Sequence, residues 1–406
     1  MSLPSHHPFT LEYTSNPQPV FADIHTDNRF LPLEDLGAVA VHGYDAVRAF
    51  CDHPLMTRNF AESGVVDKQA MAERAERWPT LENSLSTGEG EETKRANLLR
   101  VLLAQDFRPR MIRKMATTVS EVVSKVCAPL RSESDVDVVK VVQEVPLIVI
   151  STLLGIDETT KDAELFLSAG PSYFRGINPI ASDSDRDKAE VAAVTMIDIL
   201  GRTVENRRSN PQNDLVSQVV EIADNRGDVD PMDVVRAVVI LVAAGTDTTR
   251  LTSSLAIRTL LDNPEAMEAM REDRSLVKNG MMELLRYESP TKYLVRVATQ
   301  DVEFEGQTVP KGSLVLLSIM GAGWDPRVFP SPETFDPQRD LRGSLSFGFG
   351  SGYCLGSHLA RLQVTTLVDF VLDHLPSTAT IDRSQTTWDA GNLMLREITS
   401  MPMHIR

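Results

Sequence analysis

The segment VVRAVVILVAAGTDTTRLTSSLAIRTLL, residues 234–261, constrains the fold more than any other stretch of this chain. A helix this apolar on most of its circumference must be enclosed by other elements, so the segment reads as a buried central helix. Material to enclose it is at hand. Residues 90–105, 109–130, 139–153, 186–208 and 275–287 carry apolar side chains at three- and four-residue spacings, with Pro or Gly near several ends. Short β-like runs occur at LGAVAVHG, residues 36–43, and between residues 293 and 318, where Gly and Pro turns separate alternating segments. The expected fold is mainly α with a small β region. With 406 residues and 42% apolar content, the chain is long enough for one large α-rich unit.

The middle of the central helix is polar: Gly245, Thr246, Asp247, Thr248 and Thr249 interrupt it. One reading is structural, with threonine hydroxyls bonding back to carbonyls one turn earlier and bending the helix. The other is chemical. Asp247 beside Thr248 places an acid next to an alcohol in a loosened turn, a pair suited to passing protons to dioxygen.

A second unusual stretch is SLSFGFGSGYCLGSHLA, residues 344–360, where Cys354 sits among Gly348, Gly350, Gly352 and Gly356 just before a helical pattern. Glycines permit left-handed backbone angles and close approach of a flat ligand. A thiol just before a helix N-terminus is expected to favour the thiolate, a ligand for a soft metal. A dinucleotide-binding turn does not fit, because the third glycine of GxGxxG falls on Tyr353 or Leu355. A nucleophilic cysteine would need a base and an orienting group, and only His358 is near in sequence. Axial ligation of haem iron fits the glycines and the peptide N–H groups together. Cys51 and Cys127 lie at apolar helical positions, and each of these thiols is expected to be free.

Two further motifs complete the pattern: Glu283 and Arg286 in MMELLRYESP, at helical i and i+3, and Arg339 in PSPETFDPQR. With FGFGSGYCLG and AAGTDTT, these ordered motifs resemble the cytochrome P450 family, haem-thiolate monooxygenases, over most of the chain from about residue 90. The resemblance implies a single domain over residues 1–406, a triangular prism of helices around one buried haem b. It implies Cys354 as axial thiolate, with Phe347 packed near the sulfur. Ala244 and Gly245 on the central helix, and Gly348 and Gly356 in the loop, are placed beside the haem. Asp247 and Thr248 carry over as the proton-delivery pair, and Glu283, Arg286 and Arg339 as a structural network. Arg100 and Arg296 match propionate ligands. Departures from the family pattern fall around the propionates: the basic residue usual two places before the cysteine is Gly352, and the histidine of an HxxxR pair aligns with Ala96.

By resemblance, the substrate pocket draws on residues near 57–88, 168–180, 240–248, 291–295 and 392–395. Phe174, Ile177, Val242, Tyr293, Leu294 and Met394 favour an apolar guest, terpenoid, aromatic or macrolide-like. Lys292 and Arg175 are candidates to meet a substrate carboxylate. Dioxygen is the co-substrate, and electrons are expected from a separate ferredoxin or flavodoxin with its reductase. Two alternatives stay open: a peroxide-driven peroxygenase and a non-catalytic haem sensor. The net charge of −16 and pI near 5.0 disfavour nucleic acid and anionic membranes as partners. The N-terminal stretch lacks an apolar run flanked by basic residues, so a cytoplasmic monomer without an anchor is expected.

Overall fold

The computed structural model describes the chain except residues 1–2, 28, 60–61, 66, 86–99, 104–106, 108, 157–158, 178–180 and 406. Most of the helix expected over residues 90–105, with Lys94, Arg95 and Ala96, lies outside the described residues. Residues 100–103 are helical.

A five-stranded sheet joins residues 30–57 to residues 293–318. Its strands are β1 (Phe30–Leu33), β2 (Ala38–Val41), β3 (Met56–Thr57), β4 (Tyr293–Ala298) and β5 (Leu314–Ser318), in the order β1-β2-β5-β4-β3. β2 runs parallel to β5, and the other neighbours are antiparallel. Side chains alternate across a strand, so β4 serves two surroundings. Tyr293 and Val295 enter an apolar cluster with Tyr13, Phe21 and Trp324. Leu294 and Arg296 point the other way.

The helices that frame the site are α1 (Tyr44–Cys51), α2 (Glu144–Leu153), α3 (Lys161–Gly176), α4 (Asp183–Ser209), α5 (Pro231–Asp262), α6 (Val277–Tyr287) and α7 (Ser357–His374). α5 starts where Asp230 accepts a hydrogen bond from the Met232 N–H and Pro231 takes the first helical position. It ends before Pro264, which disfavours helical angles at Asn263. Side chains of α2, α3, α4, α5 and α7 share one apolar core, with α5 at its centre.

Two expected helices are broken, and proline accounts for a break in each. Residues 109–130 form Pro109–Arg113, Ala116–Val126 and Pro129–Ser132, and the second of these breaks falls where Pro129 has no N–H for the carbonyl four residues back. Residues 139–153 divide into Val138–Val142 and α2, where Pro146 leaves the Val142 carbonyl without its helical donor in the same way. α5 departs from expectation in the opposite sense, since it runs unbroken through Gly245–Thr249. Among the described residues, no helix is long and apolar enough to cross a membrane.

Candidate functional site

The cysteine loop is built by two glycines in left-handed conformations, Gly348 at φ 75° and Gly350 at φ 64°. Gly352 and Gly356 need no such angles. A side chain at Gly350 would collide with Asp52, whose carboxylate accepts from the Ser351 N–H and hydroxyl and so pins the loop to the end of α1. The Cys354 N–H donates to the Phe347 carbonyl at 2.8 Å, closing the turn that presents the thiol. Cys51 and Cys127 are buried free thiols, whereas Cys354 is exposed. A Cβ at Gly356 would meet nothing within 4 Å, so the backbone beside the thiol is open to a flat neighbour. Phe347 packs near Tyr353 and under the Arg361 guanidinium. The thiol is not the ready thiolate that its place before a helix suggests. Desolvation pushes its pKa up, offset only partly by the Gly356 N–H and the charges of Arg100 and Arg361. Ligation to a metal would supply the missing driving force, because a coordinated thiol gives up its proton.

Guanidinium groups gather around this loop. Arg100 donates to the Tyr353 carbonyl, and Arg296, 6% exposed, donates to the carbonyls of Val295 and Cys51 at 2.9 and 3.2 Å. Arg58, just past β3, reaches the same place and is the group that sequence reasoning missed. A lone arginine in LMTRNF carries no local signal. Among the described residues, none of these three arginines has a carboxylate within ion-pair distance.

On α5, Thr248 Oγ1 donates to the Ala244 carbonyl at 2.7 Å, and Thr252 repeats this one turn on. The hydroxyls thus bond back within the helix without unwinding it. Ala244 is exposed although it sits mid-way along a core helix, so its face borders open space. Counting back one turn, Ile240 shares that face, and Leu241 flanks it. Val242 lies roughly 160° around the helix from Ala244 and is fully buried. The expected pocket role of Val242 is therefore corrected in favour of Ile240. Gly245 is also accounted for by packing, since a Cβ there would come within 2.7 Å of Ile150 on α2. Asp247 accepts from Arg250 Nε at 2.7 Å, and Arg250 Nη2 reaches Glu397 at 2.8 Å. Burial raises the Asp247 carboxyl pKa, and the arginine only partly opposes this. Arg250 lies between two carboxylates, which outweigh desolvation and hold it charged.

Glu283, Arg286 and Arg339 meet in the interior. Arg286 binds Glu283 through Nε and Nη2, both at 2.7 Å, and Arg339 Nε reaches the same carboxylate at 2.9 Å. Their remaining N–H groups donate to the carbonyls of Gly323, Pro330, Ser331, Pro332 and Thr334, which threads the irregular segment before the cysteine loop onto α6. Full pairing is what makes charges tolerable at this depth.

The expected pocket residues disperse. Tyr293 stacks on Tyr13 with ring planes 4° apart and bonds His42, so strand alternation commits it to the N-terminal cluster. Leu294, on the opposite face, points to the cysteine loop, with Cδ1 3.8 Å from a Cβ placed at Gly348. Phe174 is buried against Tyr173 in the core, Ile177 caps α3 against that core, and Met394 packs beside the Tyr293 cluster. Lys292 is not free for a ligand: it is fully buried, and Nζ donates to the Pro8 carbonyl at 2.9 Å. Desolvation lowers its pKa to about 7. Arg175 is exposed on α3.

The family model described as Cytochrome P450 matches residues 67–379. The cytochrome P450 monooxygenase PikC of Streptomyces venezuelae is 27% identical, over 97% of this chain and 92% of its own. The 6-deoxyerythronolide B hydroxylase of Saccharopolyspora erythraea is 28% identical, over 76% of this chain and 75% of its own. The structure of epothilone D-bound cytochrome P450epoK superposes with a TM-score of 0.87 at 24% identity, covering 100% of both chains.

Proposed function

The chain belongs to the cytochrome P450 family of monooxygenases, and from that premise we propose that it binds one haem b through Cys354 and oxidises an apolar organic substrate with dioxygen. The observation that carries this reading is the loop from Phe347 to Gly356, which offers an accessible thiol with a peptide N–H on its sulfur and open backbone beside it. The residues present suit the cofactor. Cys354 offers sulfur to iron, and Arg100 and Arg296 offer cationic donors, free of carboxylate partners among the described residues, to the propionates. When bound, haem supplies the iron chemistry that activates dioxygen, and the protein supplies ligand, proton path and pocket.

Each side chain then has a task. The N–H of Gly356 softens the charge on the Cys354 sulfur and fixes its direction. Thr248 stands one turn past the exposed Ala244 with its hydroxyl hydrogen given to the Ala244 carbonyl, which leaves its oxygen lone pairs free to accept from a proton donor in the reaction space. Asp247, with a raised pKa, takes up a proton more readily than an ordinary carboxylate, and the Arg250 and Glu397 chain leads away from it. Ile240, Leu241, Ala244 and Leu294 give the reaction space an apolar wall that excludes water.

One relative is named a polyketide biosynthesis cytochrome P450, PksS of Bacillus subtilis, and an apolar, macrolide-like guest agrees with this wall. Electrons come from a separate ferredoxin or flavodoxin with its reductase, and the working form is a cytoplasmic monomer. The test uses purified, haem-loaded protein with candidate substrates chosen by spectral shift. Product formed with a surrogate ferredoxin, reductase and NAD(P)H, and little with peroxide alone, supports the proposal. Turnover by peroxide alone would make the protein a peroxygenase, and spectral binding without turnover in either assay would make it a haem or ligand sensor.

A further inference from the structure

We propose that Arg58 is a haem-propionate ligand, standing in for the basic side chain that is absent at Gly352. This rests on the haem reading above and adds to it a residue that no motif identifies.

The first observation is spatial. A Cβ built on Gly352 would lie 2.6 Å from Arg58 Nη2 and 3.3 Å from Arg296 Nη2. The Arg58 guanidinium therefore occupies the room that a side chain at 352 would take. A basic residue at 352 and Arg58 in this position are alternatives for one place.

The second observation is the pairing of strands. β3 and β4 are antiparallel with Thr57 opposite Val297 and Met56 opposite Ala298. One residue further along this register, Arg58 comes opposite Arg296. Like charges directly opposite each other on neighbouring strands are destabilising unless something lies between them.

The third observation is electrostatic. Arg58 opposes the charge on both Arg100 and Arg296, whose pKa values are lowered first by desolvation and then by this neighbour. Asp52 is the nearby acid: its Oδ1 accepts both bonds from Ser351, and its charge is felt by Arg58 and Arg296 without an ion pair to either among the described residues. Among the described residues, Arg58 has no hydrogen-bond or ion-pair partner. Three guanidiniums converging with no carboxylate at ion-pair distance among the described residues form a site for a dianion, and the two propionates of haem have that charge. Arg58 is exposed and reaches the group from the solvent side. Arg296, beneath the loop, approaches from the interior.

The experiment measures the rate of haem transfer from the loaded protein to excess apo-globin. Wild-type protein is first shown to hold haem by its absorption spectrum. Arg58→Leu is expected to lose haem at least about tenfold faster, the worth of one charge-assisted hydrogen bond. Arg58→Lys keeps the cation and is expected to stay within about threefold of wild type. Because Gly352 is outside the left-handed region, it accepts a side chain once Arg58 is gone and the Arg296 guanidinium gives way by a few tenths of an ångström. Arg58→Leu combined with Gly352→His is therefore expected to recover most of the lost retention. Transfer from Arg58→Leu at the wild-type rate overturns the assignment while leaving the haem reading intact. Equal losses in the Leu and Lys variants overturn it too, since charge would then not be the cause. A wild-type protein that takes up no haem overturns both readings.

Discussion

Asp247 and Arg250 stand one turn apart on the same buried helix, joined by a 2.7 Å hydrogen bond from guanidinium to carboxylate. The pair places the acid of the site under two opposed influences. Burial raises its pKa, and Arg250, shared with Glu397, lowers it only in part.

This gives a pH dependence of definite sign. The folded protein protonates Asp247 at a higher pH than the unfolded chain does. Its contribution to stability is therefore fully present below the unfolded carboxylate value, about 4, and is lost as pH rises through the raised native value. Asp247→Asn removes this dependence. The wild-type thermal midpoint should gain on that of the variant as the pH falls through the acidic window. A constant difference would show that the carboxyl is not raised. At neutral pH the same variant should bind substrate with an unchanged spectral shift, yet turn over at least about a hundredfold more slowly.

Thr248→Ala removes a hydroxyl that bonds to the Ala244 carbonyl but does not hold the helix open, since α5 is regular there. Helix and haem should survive the change. NAD(P)H consumption should persist while its electrons appear as hydrogen peroxide in place of product. Unchanged product per NAD(P)H would reduce Thr248 to a back-bonded helix residue.

Glu283→Gln leaves Arg286 and Arg339 without their common counter-charge in a place where Glu283 and Arg286 are 0% and 1% exposed. A loss of about 3–5 kcal/mol is expected. Urea unfolding should shift to a lower midpoint, and haem incorporation should fall because the segment threaded by Arg286 and Arg339 leads into the cysteine loop. Wild-type stability with full haem content would contradict the structural role.

Much of this architecture could be read from residue order. The apolar run over residues 234–261 located α5. The alternation in YLVRVA located β4. Legibility ended where the answer depended on phase or on distant partners. Val242 and Ile240 are equally apolar, and only the exposed Ala244 reveals which of them faces the open side. Tyr293 and Leu294 are adjacent, and the tyrosine is claimed by Tyr13 and His42, some 250 or more positions away in sequence. Lys292 looks like a loop cation, but the Pro8 carbonyl buries it. Arg58 has meaning only beside Gly352, to which no sequence spacing connects it.

The central claim is that Cys354 ligates haem iron as a thiolate, and the absorption spectrum of the reduced protein under carbon monoxide tests it most directly. Haem-loaded wild-type protein should show the strongly red-shifted Soret band that a sulfur anion produces by donating charge to iron. Cys354→Ser, still folded by circular dichroism, should lose that band, because a neutral hydroxyl cannot donate in the same way. A red-shifted band that persists in Cys354→Ser, or is absent from haem-loaded wild-type protein, would contradict the account.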